Sequence, residues 1–451
     1  MEVFNLPLPI ELFEAILDSL EPGDMQTLRS LSVTSRFLVS LCQRRLFASL
    51  TLPPAVGSDS DSERQHTPDV LHDLLIAAPH IAAAVRSLTL VMSPWIMKPE
   101  AAAATPLRDS LAKLTRLNCI AIEASRDPRD RTEWTPSVLL VLKNALEAAF
   151  SGGTVDALRL HRLKFGCANE MCELLRAWQN NLMKLDLSEV VLFDGQPPSA
   201  NTPSSCSSES KVIPFKLHTL RLARPRANIL RALAPYTMIS SSLRRLELAF
   251  HDSLGYEAIM GLFSANIMAL RATLEELHLD AIMEFPSIIQ PSPADAVWPS
   301  EPFALTALHT LVITLRLPSK YIQAIVHPLH LEYQALVLAL INPAAPVLAT
   351  PNLRAIELNI QLPTQNEADI GFLGRLHDLD SYWLVSPAGS PSFTVRQWEL
   401  VVRIHSPPGL CLQEGFFRGP LRAYTRRRVE SIVRRTFAGL DGDGRLRVEL
   451  L

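Results

Sequence analysis

Cysteine is scarce. The 451 residues hold six, Cys42, Cys119, Cys167, Cys172, Cys206 and Cys411, too thinly spread for a disulfide scaffold and without the second Cys/His pair that a zinc site needs beside Cys167 and Cys172. Lysine is scarcer still for its class: eight stand against thirty-five arginines, and none precedes Lys98. Charge of either sign is not in excess. A net charge of -3, with 20% charged residues, excludes the strong basic surplus of a general nucleic-acid binder. No run of eighteen apolar residues occurs, and the N-terminus has no basic segment leading into an apolar run. Neither a membrane span nor a secretory signal is therefore expected, which points to the cytoplasm or nucleus. The common catalytic signatures are missing as well: no phosphate loop, no G-x-S-x-G elbow, no H-E-x-x-H helix and no G-x-G-x-x-G turn. The expectation is a protein that is not an enzyme and carries no cofactor or metal.

What is present is leucine-rich order. Hydrophobic residues make up 48% of the chain, enough for a substantial core, and the length exceeds one ordinary core unless a repeat extends it. The first fifty residues predict three short helices. Pro9 suits a first helical turn, and Leu12, Phe13, Ile16, Leu17 and Leu20 recur as one apolar stripe. Pro22-Gly23 ends that stripe, and Asp24 is placed to cap a second helix with Met25, Leu28 and Leu31. Ser35 is placed to cap a third carrying Phe37, Leu38, Leu41 and Leu46. A unit of this size buries too little surface to be secure alone, so part of its apolar face is expected to meet the next domain or a partner.

The string Leu8-Pro9-Ile10-Glu11-Leu12-Phe13-Glu14-Ala15-Ile16-Leu17, followed by Val33-Thr34-Ser35-Arg36, resembles the F-box, a three-helix module that docks on the Skp adaptor of cullin-RING ubiquitin ligases. The resemblance implies a receptor, with Leu8, Pro9, Leu12, Ile16, Leu17, Leu28, Leu31, Val33 and Phe37 forming the adaptor surface or the packing behind it.

From residue 85 a second pattern returns: leucine or a substitute, two residues, leucine, one residue, leucine. Its copies begin at Val85, Leu114, Val155, Leu182, Leu217, Leu243, Leu274, Leu308 and Leu353. Such a strand cannot bury its own apolar side, whereas stacking copy on copy makes one continuous core, so a solenoid is expected. Helical patterns fill intervals between copies, at residues 136–150, 170–178 and 256–270. This resembles the leucine-rich repeat family, in the irregular form found in fungal F-box proteins. The fold expected is α/β, a three-helix F-box followed by a solenoid of strand-helix units.

Residues 1–52 then form the helical domain, 53–68 a flexible linker, 69–362 the solenoid with a loop insertion at 194–211, and 363–451 a capping region. The linker and the insertion are rich in Ser, Pro and Asp, and burial there cannot offset the entropy of ordering. In the capping region, residues 393–404 read as a strand, 420–437 as an amphipathic helix whose arginines form a solvated face, and 446–450 as a strand after an Asp441-Gly-Asp443-Gly turn.

Strand positions that alternate with the inward leucines are expected to face a ligand. They are Arg116, Arg159, Lys184, Arg221 and Arg245 towards the N-terminal side, then Glu247, Glu276, His278 and Glu357, which predicts a wall running from basic to acidic. His218 and His309 share one register and His278 another, so the histidines do not converge. Two function classes stay open: a receptor joining the Skp adaptor to an unknown protein substrate, and a leucine-rich scaffold with no ligase role. Neither calls for nucleic acid or a membrane.

Overall fold

A computed structural model describes residues 9–20, 24–34, 36–52, 68–92, 101–124, 142–143, 146–147, 155–167, 170–171, 174–175, 181–192, 216–223, 229, 242–250, 270–282, 303–316, 348–349, 352–361, 399–405 and 420–450. The chain divides into two compact units, residues 1–182 with 192–199, and residues 183–191 with 200–451.

The first unit opens with the three expected helices, α1 Ile10–Asp18, α2 Met25–Thr34 and α3 Arg36–Leu46. Leu17, Leu28, Leu41 and Cys42 form their buried centre, ringed by Phe13, Leu20, Leu31, Phe37, Leu38 and Leu46. Phe13 meets Phe37 edge to face, with ring centroids 5.7 Å apart, an arrangement that adds to plain area burial. The end of α1 is held by a residue far along the chain. Arg45 Nη1 donates to the Leu17 carbonyl at 2.5 Å and Nη2 to that of Glu14 at 3.3 Å, adding a charged donor to the Leu20 N–H that the Leu17 carbonyl accepts at 3.3 Å.

Four parallel strands follow in this unit, β1 Ser49–Leu52, β2 Ser87–Met92, β3 Cys119–Ala124 and β4 Ala157–His161. Helices α4 Pro68–Ala77, α5 Pro79–Ala82 and α6 Ala101–Lys113 lie between them in sequence. Register places Leu52, Leu90, Ile122 and Leu160 in one row, all buried. Strand β1 precedes the first leucine copy read from the sequence, so the ladder starts directly after α3.

The second unit continues the same logic with eight parallel strands: β5 Lys184–Ser188, β6 Thr219–Ala223, β7 Arg245–Phe250, β8 Glu276–Ile282, β9 Thr310–Arg316, β10 Ala355–Gln361, β11 Glu399–His405 and β12 Leu446–Leu450. Leu185, Leu220, Leu246, Leu277, Leu311, Ile356, Leu400 and Leu446 share one row across the sheet. Each is buried, and burying a leucine of this kind contributes about 1.5–3 kcal/mol before the entropy of ordering is counted. The ladder thus runs on through β11 and β12, past the point where the leucine spacing fades. Helices α7 Pro420–Thr436 and α8 Ala438–Gly442 precede the last strand. Asp441-Gly442 belongs to α8, and the turn itself falls at Asp443-Gly444, where Gly444 has φ +69°.

A backbone device repeats at the strand starts. The Arg86 carbonyl accepts both Asn118 and Cys119 N–H, the Asn118 carbonyl both Asp156 and Ala157, the His218 carbonyl both Arg244 and Arg245, and the Arg244 carbonyl both Glu275 and Glu276. His309 does the same for Arg354 and Ala355. This device corrects one reading of the repeat. The copy taken to begin at Leu114 begins at Leu117, because Asn118 occupies the accepting position and Ile120 and Ile122 are the buried strand residues. Arg116 therefore lies in a turn before β3, not on the sheet.

The linker up to residue 67, the insertion at 194–211 and most of the helical patterns at 136–150, 170–178 and 256–270 lie outside the described residues, as do residues 393–398 of the strand expected at 393–404.

Candidate functional site

The three-helix segment presents two kinds of apolar side chain. Its inner set has been given. Its outer set begins on α1, where Leu12 and Ile16 sit one helical turn apart on the flank beside Phe13 and Leu17. They are 48% and 52% exposed. Ile10 and Met25 are also exposed, and Val33, at the end of α2, is exposed to 84%. Large apolar groups left in water on so small a module mark a surface that another molecule covers more often than they mark an accident.

The structure thereby sorts the residues expected at an adaptor surface. Pro9, Leu12, Ile16 and Val33 are exposed. Leu17 and Leu28 are 2% and 6% exposed, and Leu31 and Phe37 pack against them, so these four form the support. Leu8 lies outside the described residues. Sequence reasoning missed Ile10 and Met25, which start their helices on the outward side. It also missed Arg45, whose role depends on a contact across 28 positions of chain that no local pattern reveals. Burial pushes the Cys42 thiol up from its ordinary value, consistent with a core thiol rather than a reactive one.

On the polar side of the second unit's sheet, Asp186, Arg221, Glu247, His278, Val312, Glu357, Val401 and Arg447 form one row. The rows beside it bring Lys184, Arg245 and Glu276 on one flank and Asp280, Arg403 and Glu449 on the other. The expected run from basic to acidic is not what results. Arg221 lies 3.6 Å from both Asp186 and Glu247, and Arg245 lies 2.7 Å from Glu247 and 3.3 Å from Glu276. Further along, Arg403 bridges Glu357 and Glu449, with Arg447 also on Glu449 at 2.7 Å. Opposite charges alternate from strand to strand because each stabilises its neighbour across the ladder. The wall is locally neutralised and presents no end-to-end dipole.

Two groups on this wall are tuned by their surroundings. Burial first, and the nearby Arg245 second, hold His278 below the ordinary histidine value. Its Nε2 is shielded from water, 3.4 Å from Glu276 Oε2. The hydrogen bond from Arg403 holds the Glu449 carboxyl below the ordinary glutamate value. His218 and His309 stay in a different row from His278, at the strand-start positions. In the first unit Arg159 is exposed on β4. Among the described residues no group of three or more His, Cys, Asp or Glu side chains is placed to hold a metal ion, and no helix is long and apolar enough to cross a membrane.

No family model matches the chain, and no curated protein does. A solved structure described as the crystal structure of the Rad7 and Elc1 complex in yeast is similar over 77% of this chain and 85% of its own, at 12% identity and a TM-score of 0.20. Similarity that slight carries no weight for the fold or the partner of this chain. The fold stands on its own geometry, an α/β arrangement of parallel strands stacked in register with helices in the connections.

Proposed function

We propose that this protein is the substrate-recognition subunit of a Skp-cullin-F-box ubiquitin ligase. Its N-terminal helices would dock on the Skp adaptor and its strand-helix ladder would hold a protein substrate. The observation that carries the reading is the exposure of Leu12, Ile16 and Val33 on a three-helix segment that already has its own core. An apolar face left over after the core is complete is available to a second protein, and the surrounding Leu-Pro-x-Glu-Leu string resembles the F-box. The receptor makes and breaks no bond itself. It raises the effective concentration of a substrate near an enzyme carried by other subunits.

The test is capture of the full chain by purified Skp adaptor. Retention of the wild type, with loss on Leu12→Asp plus Ile16→Asp and an unchanged melting profile, is the expected result. No retention of the wild type at micromolar concentration would overturn the reading and favour a leucine-rich scaffold with no ligase connection.

A further inference from the structure

The last strand of the second unit, β12, pairs with β11 on one side, and among the described residues no strand lies on its other side. The direction of its free groups follows from one bond. Leu400 N–H donates to the Arg445 carbonyl at 2.8 Å, so residue 445 aims its backbone at β11. By the alternation of a strand, Leu446, Val448 and Leu450 aim theirs outward. Their side chains are also incompletely covered. Leu400, Val402 and Ile404 of β11 are fully buried, whereas Val448 and Leu450 are only half-buried. Among the described residues nothing pairs with the outward groups of this strand, and its apolar packing is incomplete, the kind of edge that folded proteins usually blunt.

The sequence of the strand says what fits it. Read in antiparallel against itself about Val448, it sets Leu446 opposite Leu450 and Val448 opposite Val448, with Arg447 opposite Glu449 on both sides of the centre. The first two kinds of pair are those whose backbones point outward, so each exchanges both N–H···O bonds. The Arg447–Glu449 pair falls at the closer, non-hydrogen-bonded spacing, where opposite charges stabilise the pairing and like charges oppose it. The faces agree as well, because a two-fold axis normal to the sheet puts apolar positions with apolar and charged with charged. Arg447, 64% of whose side chain is exposed, would exchange its contact with Glu449 of its own strand for Glu449 of the other copy, while Arg403 continues to hold each Glu449.

We infer that β12 is a self-complementary docking edge at which two copies of this chain pair antiparallel through Leu446–Leu450, forming an isologous dimer with a sheet continuous across the two-fold axis. One strand pair buries less than the roughly 1,000 Å² of a stable interface, so the dimer is reversible.

Sedimentation of the full chain over a range of concentrations tests this. The wild type is expected to rise from its monomer mass of 50.0 kDa towards twice that mass, while Arg447→Glu alone and Glu449→Arg alone each stay monomeric. Mixing those two variants restores pairing, because each then meets the opposite charge at both positions. Val448→Pro removes an outward N–H without touching the bonds to β11 and abolishes association independently of charge. A wild type that stays monomeric up to the order of 100 μM, where even a small interface would register, overturns the proposal. So does association that Arg447→Glu and Val448→Pro leave unchanged, or an edge occupied only by a foreign chain. The Leu12→Asp plus Ile16→Asp chain dimerises like the wild type, so failure here and failure of the adaptor reading are distinct outcomes.

Discussion

The N-terminal helices and the second unit's sheet solve the same problem in opposite ways. Both are built from leucine-rich segments that are unstable alone. Among the side chains described on the sheet's strands no large apolar one is exposed, and the charges on the polar side neutralise one another from strand to strand. The helical segment closes a small core around Leu17, Leu28, Leu41 and Cys42 and then leaves Ile10, Leu12, Ile16, Met25 and Val33 in water. Where an element can stack on a copy of itself, its apolar side is satisfied internally. Where it cannot, the remainder is available to another protein.

The sharpest way to break this contrast is in the sheet. Leu277→Ala removes a fully buried side chain from the leucine row, and a loss of about 2–5 kcal/mol is expected in chemical denaturation. A loss below about 1 kcal/mol would mean that the row is not a continuous core. Next comes the clamp on α1. Arg45→Ala removes the guanidinium donor to the Leu17 and Glu14 carbonyls, leaving Leu17 with the Leu20 N–H, and is expected to cost about 1–2 kcal/mol, seen as faster amide exchange in α1 than in α3.

A smaller effect concerns His278. Its folded-state value lies below that of the unfolded chain, so the unfolded state takes up the proton first as pH falls. The stability it supports is complete above the ordinary histidine range and is lost as pH drops through the lowered value. Denaturation midpoints should therefore decline between pH 7 and pH 5, and the decline should shrink in His278→Gln. An unaltered slope would remove His278 from the account. Last and smallest, Leu12→Asp plus Ile16→Asp should change stability by no more than about 0.5 kcal/mol for each site, because both side chains are already in water. A large loss on melting would mean that this face is covered within the chain, and the comparison would collapse.

Much of the architecture was legible because burial has a period. The single stripe of Leu12, Phe13, Ile16, Leu17 and Leu20, and the leucine triplets against their charged neighbours, are written in spacing that helices and strands require, whereas which flank of that stripe stays in water appears only in the structure. The misplaced copy at Leu114 shows the limit. Leu114 and Leu117 are both buried, so counting leucines alone could not choose between them, and only the two hydrogen bonds accepted by the Asn118 carbonyl decide. Strand β11 escaped the repeat because Gln397 stands at the first place of the triplet and Val402 at the third, while Leu400 and Val402 keep the register of Ile356 and Leu358. The charge pattern of the wall was misjudged for a different reason. Reading residues strand by strand gives a sum for each strand, whereas pairing occurs between strands. Arg403 and Arg447, outside the stretch where the leucine spacing holds, supply the cations that the acidic end was thought to lack.

The doubly accepting carbonyl that recurs at strand starts has a consequence for how such a chain tolerates change. Phase is decided afresh at every step by a hook onto the preceding strand, not by the span of polypeptide between hooks. Lengthening a crossover costs closure entropy only logarithmically, and the neighbouring leucines stay aligned. The molecule behaves like a ratchet with indexed teeth, in which the distance travelled between teeth is free to vary while the pitch is fixed.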